Sequence, residues 1–237
     1  MEEIVISILI PAYNEEKRIS YFLKNLISFS RLNLKNFEIV IINDGSNDKT
    51  EKIVQNLQKV QSDLKLISYR KNMGKGYAIQ QGVLKARGKF ILFMDADGST
   101  PPSEIQNLLK SFQKYNSDII VGSRIQKSSK VTIPQPFSRR LLSKIFNVYS
   151  NLLFRIKIND LLCGFKGFKK EVAIDLFKSL KSFRWEFDVE LLYKARKHKY
   201  IIHELPIEWK HEEGSKIKVL DPLFIFLNLF KLRLQYL

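Results

Sequence analysis

With one cysteine, Cys163, in 237 residues, the chain can form no internal disulfide framework and no zinc site built from a cysteine cluster. That fits a reducing compartment, and cytosolic exposure is the expectation. Long apolar runs are missing too. The nearest to one, Leu220 to Phe230, is broken by Asp221, Pro222 and Asn228, well short of the ~20 uninterrupted residues a spanning helix needs. The first apolar run, Ile4 to Ile10, follows Glu2 and Glu3 and has the wrong flank and length for a secretory signal, so it reads as a strand. Acidic residues are scarce: 24 Asp and Glu stand against 40 Lys and Arg, a formal charge of +16. The three histidines, His198, His203 and His211, show no ligand spacing. Yet 45% of residues are hydrophobic and 17 are Phe, too apolar for a disordered polycation. The expectation is a folded basic protein of one domain.

Runs rich in β-branched and aromatic residues predict strands at Ile4–Ile10, Phe37–Ile42, Leu64–Tyr69, Lys89–Met94 and Asp118–Gly122. Helical spacing predicts helices around Glu15–Ser28, Asp48–Lys59, Lys75–Ala86 and Ser103–Tyr115. Such alternation gives an α/β, Rossmann-like, mostly parallel sheet flanked by helices, with ligands beyond the carboxyl ends of the strands. Three polar clusters fall there: Pro11–Glu15, Asn43–Ser46 and Asp95–Thr100. After Gly122 the chain changes character. Between Arg124 and Lys157 lie eight basic residues and no acidic one, and Leu142, Ile145, Phe146, Tyr149, Leu152, Leu153 and Ile156 mark an amphipathic helix. Its stripe packs on the core or faces lipid; periodicity serves both readings. Leu223–Leu237 poses the same choice.

The strongest local motif is Asp95-Ala96-Asp97-Gly98 just past an apolar strand. Two carboxylates so spaced suit Mg²⁺ or Mn²⁺, which takes oxygen ligands and keeps positions for water and phosphate. Asp97 is expected to be the main ligand, with Asp95 beside it; a solvated turn is the plain alternative. Asp44, in Asn43-Asp44-Gly45-Ser46, either caps the following helix or binds a nucleotide. Asn72-Met73-Gly74-Lys75-Gly76 offers glycines and a lysine for phosphate without the Walker spacing.

Together, Pro11-Ala12-Tyr13-Asn14-Glu15, Asn43-Asp44-Gly45-Ser46, Asn72-Met73-Gly74-Lys75-Gly76, Asp95-Ala96-Asp97 and Gly122-Ser123-Arg124 resemble the inverting glycosyltransferases of family 2, with a GT-A fold. Asp160 to Lys166, Trp185 to Tyr193 and Glu213-Gly214-Ser215-Lys216 resemble the polyprenyl-phosphate sugar synthases, most of all the dolichyl-phosphate β-glucosyltransferases. Leu161 and Leu162 depart from the Thr-Gln usual in that branch. The resemblance covers about residues 4–220 as one catalytic domain, leaving 221–237 as an amphipathic C-terminal segment.

It implies a nucleotide-diphosphate sugar as donor, with glucose and UDP favoured over GDP-mannose, and dolichyl or another polyprenyl phosphate as acceptor. Pro11, Ala12, Tyr13, Glu15, Asp44, Lys75 and Asp95 match the nucleotide pocket; Asp97 and Asp95 hold the metal; Asp97, Asp95 and Arg124 are the catalytic set; Arg124, Arg139 and Lys216 match the acceptor-phosphate site, with Arg140 an alternative to Arg139. Asp188 and Glu190 either pair structurally or touch the sugar. The long hydrophobic C-terminal anchor of some relatives is not seen, so attachment to the cytoplasmic face of a membrane is expected to be peripheral or through an anchoring partner, with Ser138–Ile156 and Leu223–Leu237 in the interface. One rival is a hydroxyl acceptor, which needs a base, with Asp160 the leading carboxylate. The other is a nucleic-acid-binding module read from charge alone; it leaves the carboxylate motifs unexplained and no nucleic-acid partner is expected.

Overall fold

The computed structural model describes residues 4–212 and 221–236, and for residues 221–224 the backbone alone. Its first half alternates as the sequence predicts: β1 (Ile6–Ala12), α1 (Ile19–Asn33), β2 (Phe37–Asp44), α2 (Thr50–Gln58), β3 (Leu64–Tyr69), α3 (Lys75–Lys85), β4 (Phe90–Met94), α4 (Glu104–Lys114) and β5 (Ile119–Ser123). The second half continues with β6 (Lys130–Ile133), α5 (Phe137–Phe154), β7 (Phe165–Lys169), α6 (Lys170–Lys178), α7 (Phe187–Lys197), β8 (Ile202–Pro206), β9 (Glu208–Lys210) and α8 (Asp221–Leu234).

Seven strands form one sheet in the order β3-β2-β1-β4-β7-β5-β8, and β6 pairs with β9 apart from it. All neighbours in the large sheet are parallel except β7, which runs antiparallel between β4 and β5. The alternation of side chains along β1 explains the layering. Ile6, Ile8 and Ile10 face one side with Leu23 and Leu26 of α1, while Leu9 faces the other with Ile79 and Val83 of α3. Since β1 lies between β2 and β4, the chain reverses its direction of travel across the sheet there, and the crevice beyond the ends of β1 and β4 is where a ligand belongs.

The amphipathic helix carries two apolar rows, one packed on the core and one exposed. Around α5, Phe146 and Phe154 are buried and Tyr149 and Leu153 pack on the core. A second apolar row, Phe137, Leu141, Ile145, Val148 and Leu152, points outward and is 48% to 77% exposed. Helix α8 repeats this pattern: Ile225, Leu229 and Leu232 join the core, Phe226 packs against Tyr149, and Leu227, Phe230 and Leu234 stay half exposed. Among the described residues no helix is long and apolar enough to cross a membrane.

At the opposite end of the sheet from the crevice, Glu38 holds three strands together. Its buried carboxylate accepts hydrogen bonds from Ser7 Oγ (2.6 Å), Lys65 Nζ (2.6 Å) and the Arg87 amide (2.7 Å). Burial alone would raise its pKa, but the bonds from Lys65, Ser7 and Arg87 outweigh that and hold it below the usual value. Its stabilising effect is therefore complete above the unfolded pKa of about 4.3 and is lost as pH falls through the lower folded value. Glu38→Gln should cost about 2 kcal/mol of unfolding free energy at neutral pH. Urea titrations should show the gap to wild type narrowing in acid; a gap independent of pH contradicts this account.

Candidate active site

The crevice holds a cavity of about 660 Å³. Its walls take in Pro11, Ala12, Tyr13, Glu15, Asp44, Lys75, Asp95, Asp97, Arg124 and Arg139; Arg140, Asp160, Asp188 and Glu190 do not line it. Lys216 lies outside the described residues, as does the Glu213–Lys216 motif.

The loops after β1 and β2 are tied together by hydrogen bonds. Asn14, in the left-handed region at φ 53°, receives its neighbour loop in two ways: its amide donates to Ser46 Oγ (3.0 Å) and its side-chain oxygen accepts from the Asn47 amide (2.8 Å). The Glu15 amide donates to Thr50 Oγ1 at 2.7 Å. Asp44 does not cap α2; Asp48 accepts from the Thr50 amide there instead. The Asp44 carboxylate turns the other way and accepts from the amides of Met73 (2.8 Å) and Gly74 (3.0 Å). It thus fixes the turn before Lys75. Gly74 sits at φ +104°, and a Cβ there would lie 2.4 Å from the Phe183 carbonyl oxygen, so no other residue fits this turn.

Lys75 opens α3 and pairs with Asp95 at 2.5 Å. Burial disfavours its charge, but Asp95, Asp188 and Asp97 outweigh this and keep its pKa above the ordinary lysine value. Asp95 is backed by Gly164: a Cβ at that glycine would stand 1.9 Å from Asp95 Oδ2. Asp97 accepts from the Ser99 amide at 2.9 Å. Burial and the Asp95 charge raise its pKa, the mark of two carboxylates forced together. A hard divalent cation relieves that repulsion, so the donor set fits Mg²⁺ or Mn²⁺. Among the described residues no three His, Cys, Asp or Glu gather into a metal cluster.

The other part of the crevice is built on Arg124. Its Nε and Nη2 grip Asp160 at 2.8 and 2.7 Å, its amide adds a bond of 2.9 Å, and its guanidinium lies 5.3 Å from the Trp209 ring centroid. Burial would raise the Asp160 pKa, but Arg124 and Lys166 hold it down. Asp160 is therefore no general base, which corrects the assignment the hydroxyl-acceptor rival needs: a buried carboxylate kept ionised by a bidentate arginine has little affinity for a proton. Arg139 faces this cavity; Arg140 lines a neighbouring open cleft of about 1190 Å³ along α5. Cys163 is buried, and burial together with the Asp160 charge pushes its thiol up to about 12, so it is inert.

Asp188 and Glu190 take the structural reading. Asp188 accepts from Lys166, and Glu190 accepts from the amides of Lys181 and Ser182 and from Tyr236. Sequence reasoning missed several wall residues. Arg18 pairs with Glu15; burial opposes its charge, but Glu15 and Asp97 keep its pKa raised. Trp209 and Glu186 also face the cavity, and Glu186 binds Asn228 of α8 at 2.7 Å. Glu186 lies within the Trp185–Tyr193 motif and Arg18 at i, i+3 from Glu15, both usable signals, whereas Trp209 carries none.

Residues 7–177 match the family described as Glycosyl transferase family 2. A dolichyl-phosphate β-glucosyltransferase of Trichomonas vaginalis is 36% identical over 243 residues, covering 99% of this chain and 74% of that protein. The human dolichyl-phosphate β-glucosyltransferase is 36% identical over 98% of this chain and 76% of its own. Among solved structures, glucosyl-3-phosphoglycerate synthase from Mycobacterium tuberculosis, in complex with Mn²⁺, UDP and glucosyl-3-phosphoglycerate, superposes with a TM-score of 0.72 at 16% identity, covering 97% of this chain and 79% of that one. The fold, the crevice motifs and these relatives agree: the chain is a glycosyltransferase and belongs to glycosyltransferase family 2.

Proposed function

We propose that the enzyme transfers glucose, with inversion, from a nucleotide-diphosphate glucose to dolichyl or another polyprenyl phosphate. The observation that carries this reading is the Arg124–Asp160 pair. It takes the nearest carboxylate out of service as a base, while Arg139 on the cavity wall supplies positive charge. A phosphate monoester suits that arrangement, since it carries roughly −1.5 to −2 charges and has no hydroxyl proton to remove. The relatives named for dolichyl phosphate and the UDP held by the mycobacterial neighbour support the choice of acceptor and donor.

In this mechanism Pro11, Ala12, Tyr13, Glu15 and Asp44 hold base and ribose, and Lys75 places positive charge at the diphosphate. Asp97, with Asp95, would hold Mg²⁺ or Mn²⁺, which when bound neutralises charge on the departing diphosphate. Arg139 and Arg124, joined by Lys216, orient the acceptor phosphate for attack from the opposite face of the sugar. The new bond joins C1 to a phosphate oxygen as the bond from C1 to the diphosphate breaks. Trp209, stacked beside Arg124, limits the freedom of that guanidinium.

The outward rows of α5 and α8 give the lipid substrate a place to meet the enzyme. They flank exposed Arg140 and Lys144, and an anionic surface attracts each such cation by about 1 kcal/mol. The enzyme in this reading sits peripherally on the membrane with both helices in the interface plane.

Labelled sugar should move from UDP-glucose, in preference to GDP-mannose, to a short polyprenyl phosphate in detergent when Mg²⁺ or Mn²⁺ is present; slow metal-dependent donor hydrolysis without transfer would contradict the acceptor. Asp97→Ala should cut kcat by about 10³-fold with the fold kept. Arg139→Ala should raise the acceptor KM about tenfold and leave the donor KM alone, as loss of one charge-assisted bond implies; equal loss for both substrates contradicts its assignment. The protein should float with anionic liposomes, and Val148→Asp with Leu152→Asp should abolish flotation. Wild type that floats with neither neutral nor anionic vesicles contradicts the membrane reading.

A further inference from the structure

We infer that Lys166 is a positioning residue for the transfer, clamping the 160–164 turn so that Gly164 supports Asp95 while Asp160 supports Arg124. This deepens the proposed function and rests on it. Lys166 lies on β7 in register with Phe93 of β4 and Val121 of β5, in the middle of the sheet, and is completely buried. Its ammonium donates to the carbonyls of Leu161 (2.9 Å) and Cys163 (2.7 Å) and to Asp188 Oδ1 (2.6 Å). All three of its protons are used.

The fold alone does not call for an ammonium at this position. A buried ion pair stabilises no better than well-packed apolar side chains of the same volume, and the neighbours Phe93 and Val121 would accept a Met or Leu. What an apolar side chain cannot do is hold two inward-pointing carbonyls. Those carbonyls bracket Leu162, which lines the cavity, and precede Gly164, whose Cα is pressed against the Asp95 carboxylate. One residue upstream of them, Asp160 holds Arg124. Released carbonyls would seek water or other donors, and the turn carrying both contacts would move. Displacements near 1 Å at a reacting centre cost on the order of 10²-fold in rate.

The test is a double-mutant cycle on the full chain. Lys166→Met should lower kcat about 100-fold, and Lys166→Gln, which keeps N–H donors without charge, should lose clearly less. Gly164→Ala acts on the same contact, so in Lys166→Met/Gly164→Ala the two losses should not multiply; the combined loss should stay within about threefold of the larger single one. Urea midpoints restrict each comparison to folded protein, and Lys166→Gln replaces Lys166→Met in the cycle where the latter does not fold. Multiplying losses, or Met and Gln variants that turn over alike, overturn the inference. The same cycle read as UDP affinity by calorimetry, where the variants should again be non-additive, keeps the test valid even if wild type fails to glucosylate polyprenyl phosphate. That failure would count against the function and not against the clamp.

Discussion

Because β7 enters the sheet antiparallel between β4 and β5, the turn that precedes it arrives at the carboxyl edge of β4 instead of the far end of the sheet. Everything at the acceptor end depends on that reversal. The turn delivers Asp160 to Arg124, which closes β5, and Gly164 to Asp95, which follows β4. A parallel strand in the same slot would have put residues 160–164 at the opposite end of the sheet, away from Asp95 and Arg124. The Asp95–Asp97 pair and the Arg124–Asp160 pair are thus neighbours because one strand runs backwards.

Electrostatics divides the cavity into two ends with different work. Asp95 and Asp97 concentrate negative charge that calls for a cation, and the price is the raised pKa of Asp97. Lys75 moderates it through Asp95. At the other end Arg124 and Arg139 form a positive region in which Asp160 is ionised but spoken for. The proposed mechanism uses this division: a metal and Lys75 would meet the leaving-group charge and arginine the nucleophile's charge, with no proton transfer in between.

The first half of the fold is legible in the sequence because each element carries one period. Phe37 to Ile42 and Leu64 to Tyr69 are largely apolar runs bounded by turn residues, and Asp44, just past the first, lines the crevice. The second half resists such reading. The strand Phe165–Lys169 reads Phe-Lys-Gly-Phe-Lys and shows no clean apolar pattern, since one of its lysines is buried and serves the turn before it. Helix α5 carries two apolar rows, so a single-stripe search finds a mixture of both: Phe146 and Leu153 belong to the core, Ile145 and Leu152 to the surface. Asp160 looks like a free carboxylate in sequence because its partner is 36 residues away. Trp209 and Asn228 reach the cavity only through tertiary packing, which leaves no local trace.

The central claim is that this site is made for a nucleophile that arrives already charged. Its most direct test compares polyprenyl phosphate with the matching polyprenol as acceptors, with UDP-glucose and Mn²⁺ held constant, across pH 6 to 9. The account predicts transfer to the phosphate alone, at a rate nearly level with pH once the phosphate is dianionic above about pH 6. Transfer to the alcohol, rising with pH as a general base loses its proton, would contradict it.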